Sequence, residues 1–263
     1  MNKFWIAWIA LAASIGAGCH PSTSTPSSAA AGSNPADQNA STTPATHDQN
    51  PNAGSALSAI PANLQNDAFH YYGLSRTQPL TYVVTRIDAS GATSTTGTGA
   101  ESVKFTGMQN GKALFDIERT GALEPLGSEH VSLDTNGVTV ESTDPGQLDS
   151  HPLDMPADLK PGANWKTDYK VTIPKTDTAA ETNSADHSVF KVVGTQKVMT
   201  KLGNYDAVLV TSEGTDTLNG QSFTLKTQSW YVKDLGAVKI TVQTISNNKT
   251  TTLQIEAVPG DSK

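Results

Sequence analysis

The chain has 263 residues, of which 36% are hydrophobic, 6% aromatic and 16% charged, with a formal net charge of −7 and one cysteine. A mildly acidic balance without a run of basic residues argues against a nucleic-acid partner and against a folded surface lying on anionic lipid. A single cysteine excludes an intramolecular disulfide framework.

The N-terminus reads as a targeting segment. Lys3 supplies a short basic region, and residues 4–15 are apolar and uncharged. That run is shorter than the roughly 20 residues a helix needs to cross a bilayer, so residues 1–18 are predicted to be a secretory signal. Gly16-Ala17-Gly18 before Cys19 resembles the lipobox of bacterial lipoproteins, although Gly16 stands where an apolar residue is usual and Ile15 lies one step back. The resemblance implies cleavage before Cys19 and acylation of that residue. A stable anchor follows, because more than one acyl chain is attached. An ordinary signal peptide with an incidental cysteine is the alternative. Against it, Cys19 has no other cysteine to pair with. His20 follows it where the inner-membrane retention signal would have Asp, which favours the outer membrane.

Residues 19–57 are rich in Ser, Thr, Pro and Ala, with no aliphatic larger than Ala and no aromatic before Leu57. Such a stretch cannot offset the entropy of ordering, so a disordered linker with a reach of about 30–40 Å is expected. Residues 58–263, about 200 in all, suffice for one well-buried domain.

Within that domain the period is two almost throughout. "LSAIPANLQN" is the best helical candidate, weakened by Pro61. "LTYVVTRID" and "ESVKFTG" are strand candidates, and "KALFDIER" opposes Ala113, Phe115 and Ile117 to Leu114, Asp116 and Glu118. "EHVSLDTNGVTVEST" predicts a hairpin at Asn136-Gly137, where both residues tolerate positive φ. Residues 152–161, with three prolines, break the strand pattern and should carry the chain from a first group of strands to a second. In "NWKTDYKVTI", Trp165, Thr167, Tyr169, Val171 and Ile173 share one face. Residues 175–187 read as an exposed loop. "HSVFKVVG" and "YDAVLVTSEG" are further strands, and a meander of three more closes the chain, turning at Asp234-Leu235-Gly236 and Asn247-Asn248. The prediction is a single all-β domain of twisted antiparallel strands, forming a sandwich or an incomplete barrel.

Candidate chemistry is sparse. His70, His130, His151 and His187 are widely separated and form no metal motif. The acids Glu141, Asp144, Asp149, Asp154 and Asp158 suggest calcium by type, but their spacing fits no EF-hand and solvated loop carboxylates are the simpler reading. Asp116 and Glu118 share a strand face, as paired carboxylates for glycoside chemistry would, yet a wet face explains them equally. No nucleophile elbow or phosphate loop is present, and no metal or other cofactor is implied. Trp165, Tyr169 and Tyr231 could line an apolar pocket inside a curved sheet, or fill the core, which is the favoured reading.

"SWYVKDLGAVKI" is predicted to be a hairpin. Trp230 and Tyr231 point to opposite faces, Asp234 and Gly236 supply the turn, and Val238 and Ile240 share one face of the returning strand. Pro161-Gly162 with Trp165, then Gly194, Val198, Gly203, Tyr205 and Ala207, then Trp230, Tyr231, Gly236, Val238 and Lys239 line up in order. This pattern resembles the TapB-like or DUF3108-like family of exported bacterial proteins, often lipoproteins. Gln196 replaces a frequent Glu, and residues 199–202 replace the usual apolar-Pro approach to Gly203. The resemblance spans the C-terminal half and implies a mostly antiparallel β fold in the cell envelope, with no activity to assign.

The resulting expectation is a non-enzymatic envelope lipoprotein, membrane-bound through Cys19, that binds a partner protein or an apolar ligand. A lipid carrier of the LolA kind would be one version. The alternative is an envelope hydrolase acting on glycan or ester substrates.

Overall fold

The computed structural model describes residues 57–175 and 180–260. Among these, thirteen strands form one antiparallel sheet. They are β1 (Leu80–Ile87), β2 (Thr93–Gln109), β3 (Lys112–Gly121), β4 (Ser128–Asp134), β5 (Gly137–Asp144), β6 (Gln147–Leu148) and β7 (Leu153–Pro156). β8 (Asn164–Ile173), β9 (Thr182–Thr200), β10 (Gly203–Leu218), β11 (Gln221–Val232), β12 (Gly236–Ser246) and β13 (Lys249–Val258) follow. The spatial order is β6-β8-β9-β10-β11-β12-β13-β1-β2-β3-β4-β5-β7.

Turn chemistry explains most of the neighbours. Asn110-Gly111, Asn219-Gly220 and Asn247-Asn248 all take positive φ, as two-residue hairpins with the right twist require. At Asn136-Gly137 only the glycine does so. The long-range step is β13 pairing with β1, which joins the C-terminal meander to the N-terminal strands (Val84 opposite Ile255). The sheet does not close, but it curls until its ends meet. β5 lies against β6 and β7 against β8. Between the two stated possibilities, the outcome is a single open, curled sheet.

Alternation places the core. β8 reads exposed–buried through Trp165, Thr167, Tyr169 and Val171, and β3 buries Ala113, Phe115 and Ile117. The incoming chain fills the inside of the curl with Ile60, Leu64, Ala68, Phe69 and Leu74. Its short helix α1 (Asp67–Tyr71) is capped by Asn66, whose Oδ1 accepts from Phe69 N, and it packs against β5, β7 and β12.

Three expectations need correction. The candidate helix over "LSAIPANLQN" is not continuous: among the described residues Leu57 is helical and Ala62–Leu64 form a 3-10 turn past Pro61, and α1 starts after the Asn66 cap. Residues 152–161 are not merely a break, because Leu153–Pro156 pair with β5 as β7. The stretch 175–187 is not all loop. β9 begins at Thr182, and Ser184 and Asp186 are buried. Alternation there is carried by hydroxyls and a carboxylate, which a hydrophobic pattern cannot register. Residues 1–56, with the signal segment, Cys19 and most of the linker, lie outside the described residues.

Candidate functional site

The three aromatics proposed for a pocket or core are all buried. Trp165 stacks on Phe190 with ring centroids 4.9 Å apart. Tyr169 sits on the same inner face of β8, 1% exposed. Tyr231, on β11, lines a cavity of about 40 Å³ with Tyr72, Tyr82, Glu101 and Arg119. Drug-sized ligands occupy roughly 300–1,000 Å³, so this space suits a water molecule or two and no lipid.

The "SWYVKDLGAVKI" hairpin is a junction. Asp234 (φ 65) and Gly236 (φ 88) form the bend. Asp234 Oδ1 lies 2.6 Å from His70 Nδ1 and accepts from Ser75 Oγ at 2.7 Å, while Asp234 N donates to His70 O. Burial would raise the Asp234 carboxyl, but the bonds from His70 and Ser75 outweigh it and hold it below its ordinary value. The turn therefore clamps the incoming chain to the sheet. A bulge pairs Trp230 with Lys239 and Tyr231 with Ala237, leaving fully buried Val238 between them. Trp230 lies half-buried, with Lys239 Nζ 5.8 Å from its ring centroid. Trp230→Ala is accordingly expected to cost about 1–2 kcal/mol, against about 3–5 kcal/mol for a fully buried ring. A thermal melt checks this, and no shift at all would mean the ring packs on nothing.

Pattern reading missed the buried polar network. Arg119 continues the inner face of β3 two residues after Ile117. Its Nε donates to Glu101 Oε2 at 2.9 Å, its Nη1 to Gly127 O at 3.3 Å, and its Nη2 lies 3.5 Å from Glu129 Oε2. Arg76 Nη2 donates to Glu101 Oε1 at 3.0 Å and Nη1 to Leu235 O at 2.9 Å. The Tyr72 hydroxyl donates to Asp154 Oδ2 at 2.7 Å, with Glu129 Oε2 at 3.3 Å. Asp154 is thus not a solvated loop carboxylate; β7 turns it inward, 5% exposed. Burial would raise the Glu101 carboxyl, but the two guanidiniums and their hydrogen bonds hold it below the usual range. Burial, then the charges of Asp154 and Glu129, push the Tyr72 hydroxyl well up. Extending the period of "KALFDIER" by one step, and that of Val131 and Leu133 back to Glu129, is the signal that could have found both residues.

A second buried group lies on β8–β10. Thr167 Oγ1 donates to Asp186 Oδ1 at 2.6 Å, and Ser188 Oγ to Asp186 Oδ2 at 3.0 Å. Asp216 stands directly opposite Asp186. Burial and the Asp186 charge push the Asp216 carboxyl up to about 9.

The accessible chemistry is on the outer face of β3–β5. Asp116 Oδ1 lies 2.7 Å from His130 Nδ1, while Glu118 is exposed and makes no contact with that pair that would join it to a site. A bulge between His130 and Val131 turns out Glu141, which accepts from Lys112 Nζ at 3.2 Å and lies 3.5 Å from His151 Nδ1. Among the described residues no three His, Cys, Asp or Glu side chains are grouped to hold a metal, and no helix is long and apolar enough to cross a membrane.

No family model and no curated protein matches the chain. Among solved structures, a protein named as exported, with a YmcC-like fold, from Bacteroides fragilis is 12% identical and superposes with a TM-score of 0.47 over 72% of this chain and 97% of its own. A protein named as a lipoprotein from Parabacteroides distasonis gives the same values, 12%, 0.47, 72% and 97%. The hypothetical lipoprotein YmcC from Escherichia coli is 9% identical, with a TM-score of 0.30 over 80% of this chain and 94% of its own. Likeness at this level is partial and concerns the chain path alone.

Proposed function

We propose that the protein is a non-enzymatic lipoprotein of the cell envelope, anchored in the outer membrane through acylated Cys19, that presents its folded domain to a partner protein. Cys19 carries this reading. It is the chain's one cysteine, it follows an apolar signal-like segment, and a Ser/Thr/Pro/Ala-rich stretch separates it from Ile60, the first buried residue among those described. The filled interior supports a protein partner over an apolar ligand. The incoming chain packs into the curl, and the cavity lined by Tyr231 holds about 40 Å³, too little for an acyl chain. Contacts with a partner then belong to the outer face, where Lys112, Asp116, His130 and Glu141 are within reach of solvent.

Cys19→Ser is expected to move the protein from the membrane fraction to the soluble envelope fraction, and the wild type should carry the added mass of its acyl chains. A membrane-bound serine variant together with an unmodified wild-type mass would end the anchor reading. Lipid extraction of the purified soluble variant should recover no stoichiometric lipid; recovery of one would transfer the case to an apolar ligand.

A further inference from the structure

Asp186 and Asp216 face each other across β9 and β10, and both are 0% exposed. Their environments differ. Hydroxyls of Thr167 and Ser188 donate to the two oxygens of Asp186, one to each. Neither oxygen of Asp216 receives a donor. Two ionised carboxylates in a sealed interior would repel each other and lack water, so one of them must be neutral. Donated hydrogen bonds favour the charged form, which suits Asp186 to be the anion. A carboxyl without donors gains by holding a proton, since it then has an O–H to give to its neighbour.

We propose that Asp186 and Asp216 form a proton-sharing acid pair, in which Asp216 is the carboxylic acid and the folded sheet stores one proton that the unfolded chain releases. Among the described residues neither carboxylate has an ion-pair partner. β8 contributes Tyr169, whose hydroxyl is raised by burial and then by the neighbouring acids, Asp186 foremost. β7 and β4 turn two further acids, Asp154 and Glu129, toward Tyr169, with Arg119 engaged beyond Glu129. β11 places Phe223 opposite Asp216. His187 and Asp168, next along the strands, point outward and lie 3.0 Å apart; Lys170, Lys191, Glu213 and Lys226 are likewise exposed.

The sign follows from proton counting. The folded state keeps a proton that the unfolded state has lost above the ordinary Asp value, so stability falls as pH rises until the folded group ionises, near 9. Within that window one bound proton changes the unfolding constant about tenfold per pH unit. Asp216→Asn keeps the shape and an N–H donor but holds no titrating proton.

Urea unfolding of the wild type and of Asp216→Asn from about pH 5 to pH 8 tests the pair. The ratio of wild-type to variant unfolding constants should rise about tenfold for each pH unit, with the variant the more stable at pH 8. If Asp216→Asn does not fold, the double variant Asp186→Asn/Asp216→Asn takes its place. Neither position then titrates, and the wild-type slope relative to it should again be steep. A ratio independent of pH overturns the proposal, because Asp216 would then titrate as an ordinary carboxylate. Stabilisation of the wild type by calcium or potassium chloride at pH 8, absent in Asp216→Asn, also overturns it in favour of a bound cation.

Discussion

Arg119→Ala is expected to lower stability by about 3–5 kcal/mol, the cost of stranding buried carboxylates by removing their shared partner. Arg119 serves Glu101 at 2.9 Å and Glu129 at 3.5 Å, and Glu129 is 0% exposed. Without the guanidinium, Glu101 keeps Arg76, while Glu129 loses its arginine and keeps the Tyr72 hydroxyl. The loss should appear as a lower urea midpoint at unchanged slope. Its pH dependence has a definite sign. The Glu101 carboxyl is held below its ordinary 4.5, so the stability it supplies is present above that value and lost as pH falls through the depressed one. Removing Arg119 relaxes that depression, so wild type and variant should converge in acid. A loss under about 1 kcal/mol, the range of exposed ion pairs, would show that water reaches the arginine.

Gly137→Ala is expected to cost about 3 kcal/mol or more, from backbone strain and a displaced strand together. Gly137 has φ 129, and an added Cβ would stand 2.0 Å from Met155 O and 2.8 Å from Ala157 N. β7 would have to move away, and with it Met155 and Asp154, which it turns into the interior. Gly220 is the control. It has φ 82 in a hairpin, but nothing lies within 4 Å of its Cβ position, so Gly220→Ala should cost about 1–2 kcal/mol from conformation alone. Equal losses at the two sites, measured by chemical denaturation, would mean that the close approach of β7 contributes nothing.

Gly137 also shows how far sequence reading goes. Asn136-Gly137 announced a hairpin, and β4 and β5 meet there. That the glycine is needed for a third strand, β7, could not be read locally, because its neighbour comes from residues 153–156, where prolines argue against a strand. β3 and β8 were legible for the opposite reason: Phe115, Ile117, Trp165 and Tyr169 mark the buried face with large apolar groups. The same faces continue through Arg119 and Thr167, and there the hydrophobic pattern falls silent. Asp154 illustrates the resulting error. Among five acids in a row of loops it looked solvated, yet it lies beside the hydroxyl of Tyr72.

The residue sequence by itself determines an antiparallel β domain, since the period of two, the Asn-Gly, Asn-Asn and Asp-Leu-Gly turns and the lack of a sustained helical period are all local. It also carries the lipobox-like segment at Cys19, because a short apolar run and a single cysteine are properties of composition. Tertiary structure alone decides that the strands form one sheet of thirteen, that β13 finds β1, and that the incoming chain fills the curl. It alone also decides which buried polar groups meet: Tyr72 and Asp154, Arg119 with Glu101 and Glu129, and Asp186 opposite Asp216. The physical reason is range. Alternation states which side of a strand faces inward, but a buried charge is tolerable only beside its partner, and these partners are brought together by pairing between distant strands.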